Sequence, residues 1–213
     1  MPVRSFDPKH QKTPFGSIVR IERSVRWQRC FHQRHIPTHI PEGMLWTVLW
    51  EQSLALCYLQ TGINASRFAS EGKPIRRRRE GWEAILHRDV KPANIFLTTR
   101  DQENQYPTTV LGDFGCSVMV RDRVSSVMTA WTKPFAAPEE PRYTEMSDVY
   151  SLALSVHCMA IVRDMPDERR EVRKANPAPG YSCVLNDLLA RCLSTRPGDR
   201  PDVGYLPYLV LRE

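Results

Sequence analysis

The stretch HRDVKPANIFL at 87–97 constrains this chain more than any other. Pro92 has no backbone N–H and forbids a regular helix through this point, and it biases Lys91 toward extended backbone. A short polar loop therefore presents Asp89, Lys91 and Asn94 together, and Ile95-Phe96-Leu97 leads away as an apolar, strand-like run. Further on, TVLGDFG (109–115) carries Val110 and Leu111 out of an apolar stretch to a second carboxylate, Asp113. Gly112 and Gly115 bracket Asp113 and Phe114 and permit turns that other residues resist. A carboxylate, an ammonium and an amide at one strand end, with a second carboxylate at another, suit an anionic, metal-bearing ligand.

Three helices are legible around these loops. Residues 44–60 are apolar round most of the circumference and are followed by Thr61-Gly62, a stop signal. Ser147 as N-cap and Asp148 in the first turn introduce the apolar run 149–162, which reads as a central buried helix. Leu185, Leu188, Leu189, Cys192 and Leu193 form the stripe of a helix with one buried face. Between the first helix and the 87–97 loop, residues 61–81 are polar, lack sustained periodicity and read as a basic surface insertion. Arg76 to Arg79 within it form either an anion-binding or nuclear-import patch or simply solvated charge.

The net charge of +6 lies entirely in residues 1–40, which hold eight Lys/Arg against two Asp/Glu. Residues 17–31 space Arg20, Arg23, Arg26 and Arg29 three apart with Ile18, Ile21 and Val25 between them. That pattern predicts an amphipathic helix, packed on the neighbouring domain or laid on an acidic partner or anionic surface. No signal peptide or membrane span is visible, so the expectation is an intracellular protein of cytoplasm or nucleus. Its six scattered cysteines then read as free thiols. Cys30, His32, His35 and His39 read as a polar loop, with a zinc site as the alternative. Asn64-Ala65-Ser66 matches the glycosylation pattern by accident in such a protein.

In order and spacing the chain resembles the eukaryotic protein kinases, of the Ser/Thr type. HRDVKPAN looks like the catalytic loop, DFG like the metal-binding turn, and AAPE (136–139) like the end of the activation segment. SDVYSLA (147–153) and the late Arg200 look like the later landmarks. Phenylalanine after Asn-Ile, together with LGDFG, is most similar to NIMA-related and similar fungal kinases. The resemblance implies an α+β fold: a protein-kinase-like, mainly α-helical C-terminal lobe over 42–213, behind a basic extension at 1–41.

The resemblance also implies roles. Asp89 would orient the substrate hydroxyl and accept its proton, and Lys91 would face the transferring phosphate. Asn94 and Asp113 would hold Mg2+ against the phosphates of ATP, and Phe96 would lie beneath the adenine ring. Glu139 and Arg200 would tie the activation segment to the end of the domain, and Asp148 would hold the catalytic-loop backbone. Thr132 would contact Asp89. Arg88 would pair with a phosphate on Ser125, Ser126 or Thr129, which makes a regulatory kinase or a scaffold an expected partner beside protein substrates. Cys116 is either a reactive thiol near the nucleotide or an inert small side chain.

A kinase of this type also has a small β lobe with a glycine-rich loop and a strand lysine. The ten glycines include no G-x-G pair, and Lys9, Lys12 and Lys73 do not lie in apolar strands. The expectation is therefore a large lobe whose N-terminal β lobe is largely missing. It is either an incomplete Ser/Thr kinase or a catalytically impaired kinase-like binding module.

Overall fold

The first long helix, α1 (Glu42–Thr61), is fixed at both ends. Glu42 places a carboxylate in the first turn, where the helix dipole favours it, and accepts a bond from Trp46 Nε1 at 3.1 Å. Gly62 ends the helix at φ +70°, its N–H donating to the Tyr58 carbonyl at 2.8 Å. A Cβ there would lie 2.4 Å from the Trp82 ring, so both conformation and space demand glycine. The helix thus runs slightly beyond the expected 44–60 at each end.

The computed structural model describes residues 25–26, 39–98, 106–122 and 132–212. In these, the fold is mainly helical with few strands. After α1 come α2 (Ser66–Ser70), β2 (Ile85–Leu86), β3 (Ile95–Thr98), β4 (Thr108–Leu111) and β5 (Val118–Met119). The helices α3 (Glu145–Ala160), α4 (Arg170–Ala175), α5 (Cys183–Cys192) and α6 (Leu206–Arg212) complete the order. A two-residue strand, β1 (Val25–Arg26), precedes them all and pairs antiparallel with β3, Val25 opposite Leu97 and Arg26 opposite Phe96.

That strand corrects the helix expected over 17–31 at these two positions. The outer edge of β3 offers unpaired backbone groups that an extended segment can satisfy, and local periodicity does not register such a distant template. The rest of 17–31 lies outside the described residues, as do Cys30, His32, His35, Ser125, Ser126 and Thr129. His39 stacks on the Tyr181 ring at 4.8 Å, and among the described residues no group of three or more His, Cys, Asp and Glu could hold a metal ion. None of the described helices is long and apolar enough to cross a membrane.

The central helix is α3, in which every residue from Ser147 to Ala160 is buried. It starts earlier than expected. Thr144 is the N-cap, and its backbone N–H donates to Ser147 Oγ at 2.9 Å in a capping box, so Ser147 sits at the third helical position. Both residues are good caps, and sequence alone does not choose between them. Buried hydroxyls inside α3 return to backbone carbonyls: Ser151 Oγ donates to Phe135 O and Ser155 Oγ to Ser151 O, both at 2.8 Å. Against α3 pack α1 and α5, and the apolar core is shared among these helices and α6. Helix α5 is capped by Ser182 Oγ, which accepts from Leu185 N, and buries the expected Leu185, Leu188, Leu189 and Cys192. Burial pushes the Cys192 thiol up to about 12.

Residues 61–81 expose most of their side chains but are pinned rather than merely draped. Asn64 Oδ1 accepts from both the N–H and the hydroxyl of Ser66, so the Asn64-Ala65-Ser66 triplet serves as the start of α2. Ile75 is buried beside Cys57 and Ala65, and its N–H donates to Gly204 O at 2.9 Å. A Cβ on Gly204 would come within 2.0 Å of the Ile75 carbonyl oxygen, so the close approach of these two backbones needs glycine.

The two antiparallel ribbons position the site. In one, Ile95 lies opposite Leu111, which delivers Asn94 and Gly112 to the same end. In the other, Leu86 lies opposite Val118, which brings His87 beside Ser117.

Below α3, His157 Nε2 accepts the Asp167 N–H at 3.2 Å and Nδ1 faces the Pro177 carbonyl at 2.6 Å. This pattern requires the neutral ring with its proton on Nδ1. Burial lowers the His157 pKa from the ordinary value. The unfolded chain therefore takes up a proton first, and stability held above the usual histidine value of about 6.5 is lost as pH falls below it. Thermal melts at several pH values are expected to show a drop in Tm between pH about 7.5 and 5.5 that is smaller in His157→Gln.

Candidate active site

Asp148, fully buried in α3, sends its two carboxylate oxygens to two successive backbone donors. Oδ2 accepts the His87 N–H at 2.8 Å and Oδ1 the Arg88 N–H at 2.9 Å. Burial pushes this carboxyl above its ordinary range, opposed by His87 and by the two N–H bonds. The bonds hold Arg88 in left-handed backbone, φ +64°, a conformation that costs a non-glycine residue ~1–2 kcal/mol. Tyr143 Oη donates to the Arg88 carbonyl at 3.3 Å, closing the clamp from the far side of the peptide. Burial, followed by the nearby Asp148 charge, raises the Tyr143 pKa above the usual tyrosine range, so its phenol keeps the proton it donates.

From this clamped turn the loop presents Asp89 in a dense set of bonds. Lys91 Nζ donates to Asp89 Oδ2 at 2.7 Å, Asn94 Nδ2 to the same oxygen at 3.0 Å, and Thr132 Oγ1 to Asp89 Oδ1 at 3.0 Å. Lys91 also donates to Thr132 Oγ1 at 2.7 Å, so one ammonium ties both to itself. Pro92 opens a single turn of tight helix, Pro92–Asn94, which turns the buried Asn94 back so that Nδ2 also reaches the Asp89 carbonyl at 2.8 Å. With Nδ2 occupied, Asn94 turns its Oδ1 away from donors: among the described residues none reaches it.

The second carboxylate lies one residue past the strand pairing. Gly112 N–H donates to Asn94 O at 2.9 Å, so Asp113 follows immediately at that end of the ribbon. Here the glycines behave differently from expectation. The left-handed residue is Asp113 itself, φ +62°, with Oδ1 accepting weakly from Gly115 N at 3.4 Å. Gly112 is needed for space, because a Cβ would meet the Phe96 ring at 2.6 Å. Phe96, half-buried on β3, thus packs over the turn.

His87 belongs to this arrangement although the sequence reading assigned it no role. Its Nδ1 accepts the Asp89 N–H at 3.3 Å, which leaves Nε2 to donate to Gly112 O at 3.1 Å, and its ring meets Phe114 edge-on at 5.0 Å. One imidazole therefore bonds the 87–94 loop to the 112–115 turn. The alternation of apolar residues around position 87 carries no signal of this, because the contact is set by tertiary packing. Arg88 Nε donates to Cys116 O at 2.7 Å, a further tie between the same two segments. Burial, then the charge of Asp89, raises the Cys116 thiol pKa, which favours the inert reading of that side chain over the reactive one.

At the other end of the 132–139 segment, Glu139 and Arg200 form a bidentate pair, Oε1 to Nη1 at 2.7 Å and Oε2 to Nη2 at 2.8 Å. Arg200 also donates to Ser194 O and Met146 O and lies over the Tyr150 ring at 4.9 Å. Ser147 Oγ donates to Glu139 Oε1 at 2.6 Å. Burial alone would raise the Glu139 carboxyl; bonds from Arg200 and Ser147 outweigh it and hold the pKa below the ordinary value. The guanidinium is wholly buried, so removing one partner strands a charge.

A family model described as the protein kinase domain matches residues 82–205, more than half of the chain. The chain belongs to the protein kinase family. Among curated proteins it is similar to serine/threonine-protein kinase Nek1 of Toxoplasma gondii, 30% identical over 168 residues that cover 70% of this chain and 10% of that protein. Nek2 of Mus musculus is 31% identical over 144 residues, covering 62% of this chain and 31% of that one. The G2-specific protein kinase nimA of Emericella nidulans is 28% identical over 184 residues, covering 78% and 25%. The chain spans well under half the length of these relatives.

Thermal or urea unfolding is expected to lose about 3 kcal/mol in Arg200→Met, where the half-buried Glu139 is left without its cation. The Glu139→Gln, Arg200→Met double variant should lose clearly less than the sum of the two single variants.

Proposed function

We propose that the 87–139 constellation transfers the terminal phosphate of ATP to serine or threonine hydroxyls of proteins. The observation that carries this reading is the convergence on Asp89: a carboxylate aligned by Lys91, Asn94 and Thr132, with a second carboxylate, Asp113, at the ribbon end where Asn94 lies. In this role Asp89 orients the substrate hydroxyl and takes its proton. Lys91, partly exposed, shifts from Asp89 toward the transferring phosphate as charge moves onto it. Thr132 holds the carboxylate in its working rotamer.

The donor set fits magnesium. Asn94 Oδ1 and the exposed Asp113 carboxylate are hard oxygen ligands with free valence, at adjacent positions of one ribbon end. These two residues would hold Mg2+, and the bound ion would neutralise the phosphate oxygens of the nucleotide. Phe96, lying over Gly112, supplies the apolar surface for the base.

We further read residues 42–213 as a large lobe, with the covering groups of the nucleotide site contributed by a second lobe. Leu54, Tyr58, Val110 and Phe114 line an apolar hollow of about 350 Å3, and Phe114 is 49% exposed. Such a surface beside a polar site is suited to burial under a neighbouring lobe. A second reading is a kinase-like binding module without turnover. In either reading Arg88, already bonded to Cys116, is the basic residue through which a phosphate on Ser125, Ser126 or Thr129 would act.

Transfer of radiolabelled phosphate from Mg-ATP to a mixed protein substrate separates the readings. Phosphoserine and phosphothreonine products that fall about 100-fold or more in Asp89→Asn are expected of the enzyme. No transfer by either form, with Mg-ATP binding weaker than millimolar, would establish the binding module.

A further inference from the structure

The segment carrying Arg76 to Arg78 borders a cavity of about 750 Å3 that none of the residues around Asp89 lines. Its other walls come from the C-terminal end of α1, the first turn of α3 and the 202–205 turn. The volume is that of an ordinary ligand pocket. The wall is divided in character: Ile75, Met146 and Val203 give it an apolar side, and three guanidinium groups give it a charged one.

The charges do not cancel locally. Arg78 Nη2 is bound to Glu145 Oε1 at 2.8 Å, which neutralises that carboxylate. Asp202, the other acid of the wall, turns Oδ1 to the Gly204 N–H at 2.8 Å. Arg76 and Arg77 are exposed and have no hydrogen-bond or ion-pair partner among the described residues. The segment bearing them is held in register by the Ile75–Gly204 backbone bond, so the two cations are presented from a fixed base.

A second feature of the wall is independent of charge. Gln60, 1% exposed, donates Nε2 to the Glu145 carbonyl at 3.0 Å, which fixes the orientation of its amide. Its Oε1 is buried with no hydrogen-bond donor. Gln60 lines the cavity, so this carbonyl oxygen without a donor is an unmet acceptor in its wall. The wall therefore asks for an N–H donor beside an anion, next to apolar surface.

We propose that this cavity is a recognition site for a phosphorylated peptide segment. The phosphate pairs with Arg76 and Arg77, a backbone N–H of the peptide donates to Gln60 Oε1, and a neighbouring apolar side chain packs on Ile75 and Val203. Guanidinium suits this role because its planar donors meet two phosphate oxygens at once. Glutamate or aspartate in place of the phosphate offers less charge and fewer acceptors, so the phosphorylated form is preferred. The proposal does not depend on phosphotransfer at Asp89.

Fluorescence anisotropy of the full chain with a labelled, degenerate phosphoserine peptide pool tests it at about 0.15 M salt. The phosphorylated pool is expected to bind about tenfold or more tightly than its unphosphorylated counterpart. The Arg76→Ala, Arg77→Ala double variant, which alters only exposed side chains, should lose that preference while keeping the wild-type Tm. Gln60→Leu should weaken phosphorylated and unphosphorylated pools alike. Equal binding of the two pools, or unchanged binding by the arginine double variant, overturns the proposal. So does displacement by inorganic phosphate at the concentration of the peptide itself, which would mark a bare anion site. Tighter binding of anionic vesicles or single-stranded nucleic acid than of the phosphorylated pool overturns it as well.

Discussion

The carboxylate of Asp148 is the fixed point on which the rest of the site depends. It is sealed inside the most buried helix of the fold and spends both oxygens on the N–H groups of His87 and Arg88. Those bonds stabilise a left-handed residue that the backbone would otherwise abandon. Because Arg88 directly precedes Asp89, the direction in which Asp89 leaves the core is set by α3. The clamp is tertiary in origin: one side chain from position 148 determines the conformation of a loop sixty residues earlier.

Two polar knots extend that control along the 132–139 segment. Thr132, at its start, is bonded to Asp89 and Lys91; Glu139, at its end, is bonded to Arg200 and Ser147. The segment is thus anchored to the loop at one end and to the C-terminal part of the fold at the other. A buried ion pair adds little net stability compared with apolar packing, since desolvation offsets attraction. Its bidentate geometry does restrict where Glu139 can sit, and through the intervening residues where Thr132 can sit. In this account the pair contributes position more than energy.

Much of this was legible in the sequence, and the parts that were not share a cause. The break at Pro92, the apolar strand after it, the stripe of α5 and the buried character of α3 follow from local rules, and the structure has each of them. The family resemblance lay in short motifs whose order survives in the linear chain. Contacts between distant segments were out of reach. The N-cap of α3 shifted to Thr144 because Ser147 could serve either as cap or as the third residue of a capping box. Left-handed backbone fell on Arg88, which long-range bonds from Asp148 hold, and on Asp113 rather than on the adjacent Gly112, where the Phe96 ring leaves no room for a side chain. Val25 and Arg26 formed a strand because the edge of β3 was there to pair with, and His87 entered the site through folding alone.

In the function proposed above, Asn94 and Asp113 form one oxygen-donor site for a metal-bound nucleotide, built on the loop that Asp148 clamps. Paramagnetic broadening of backbone amide resonances by Mn2+ with ADP tests this most directly, because it registers weak binding and reports position. Broadening centred on Asn94, Gly112, Asp113 and Gly115, and lost in Asp113→Ala, is the result the account predicts. Broadening centred elsewhere on the chain, or unchanged in that variant, would contradict it.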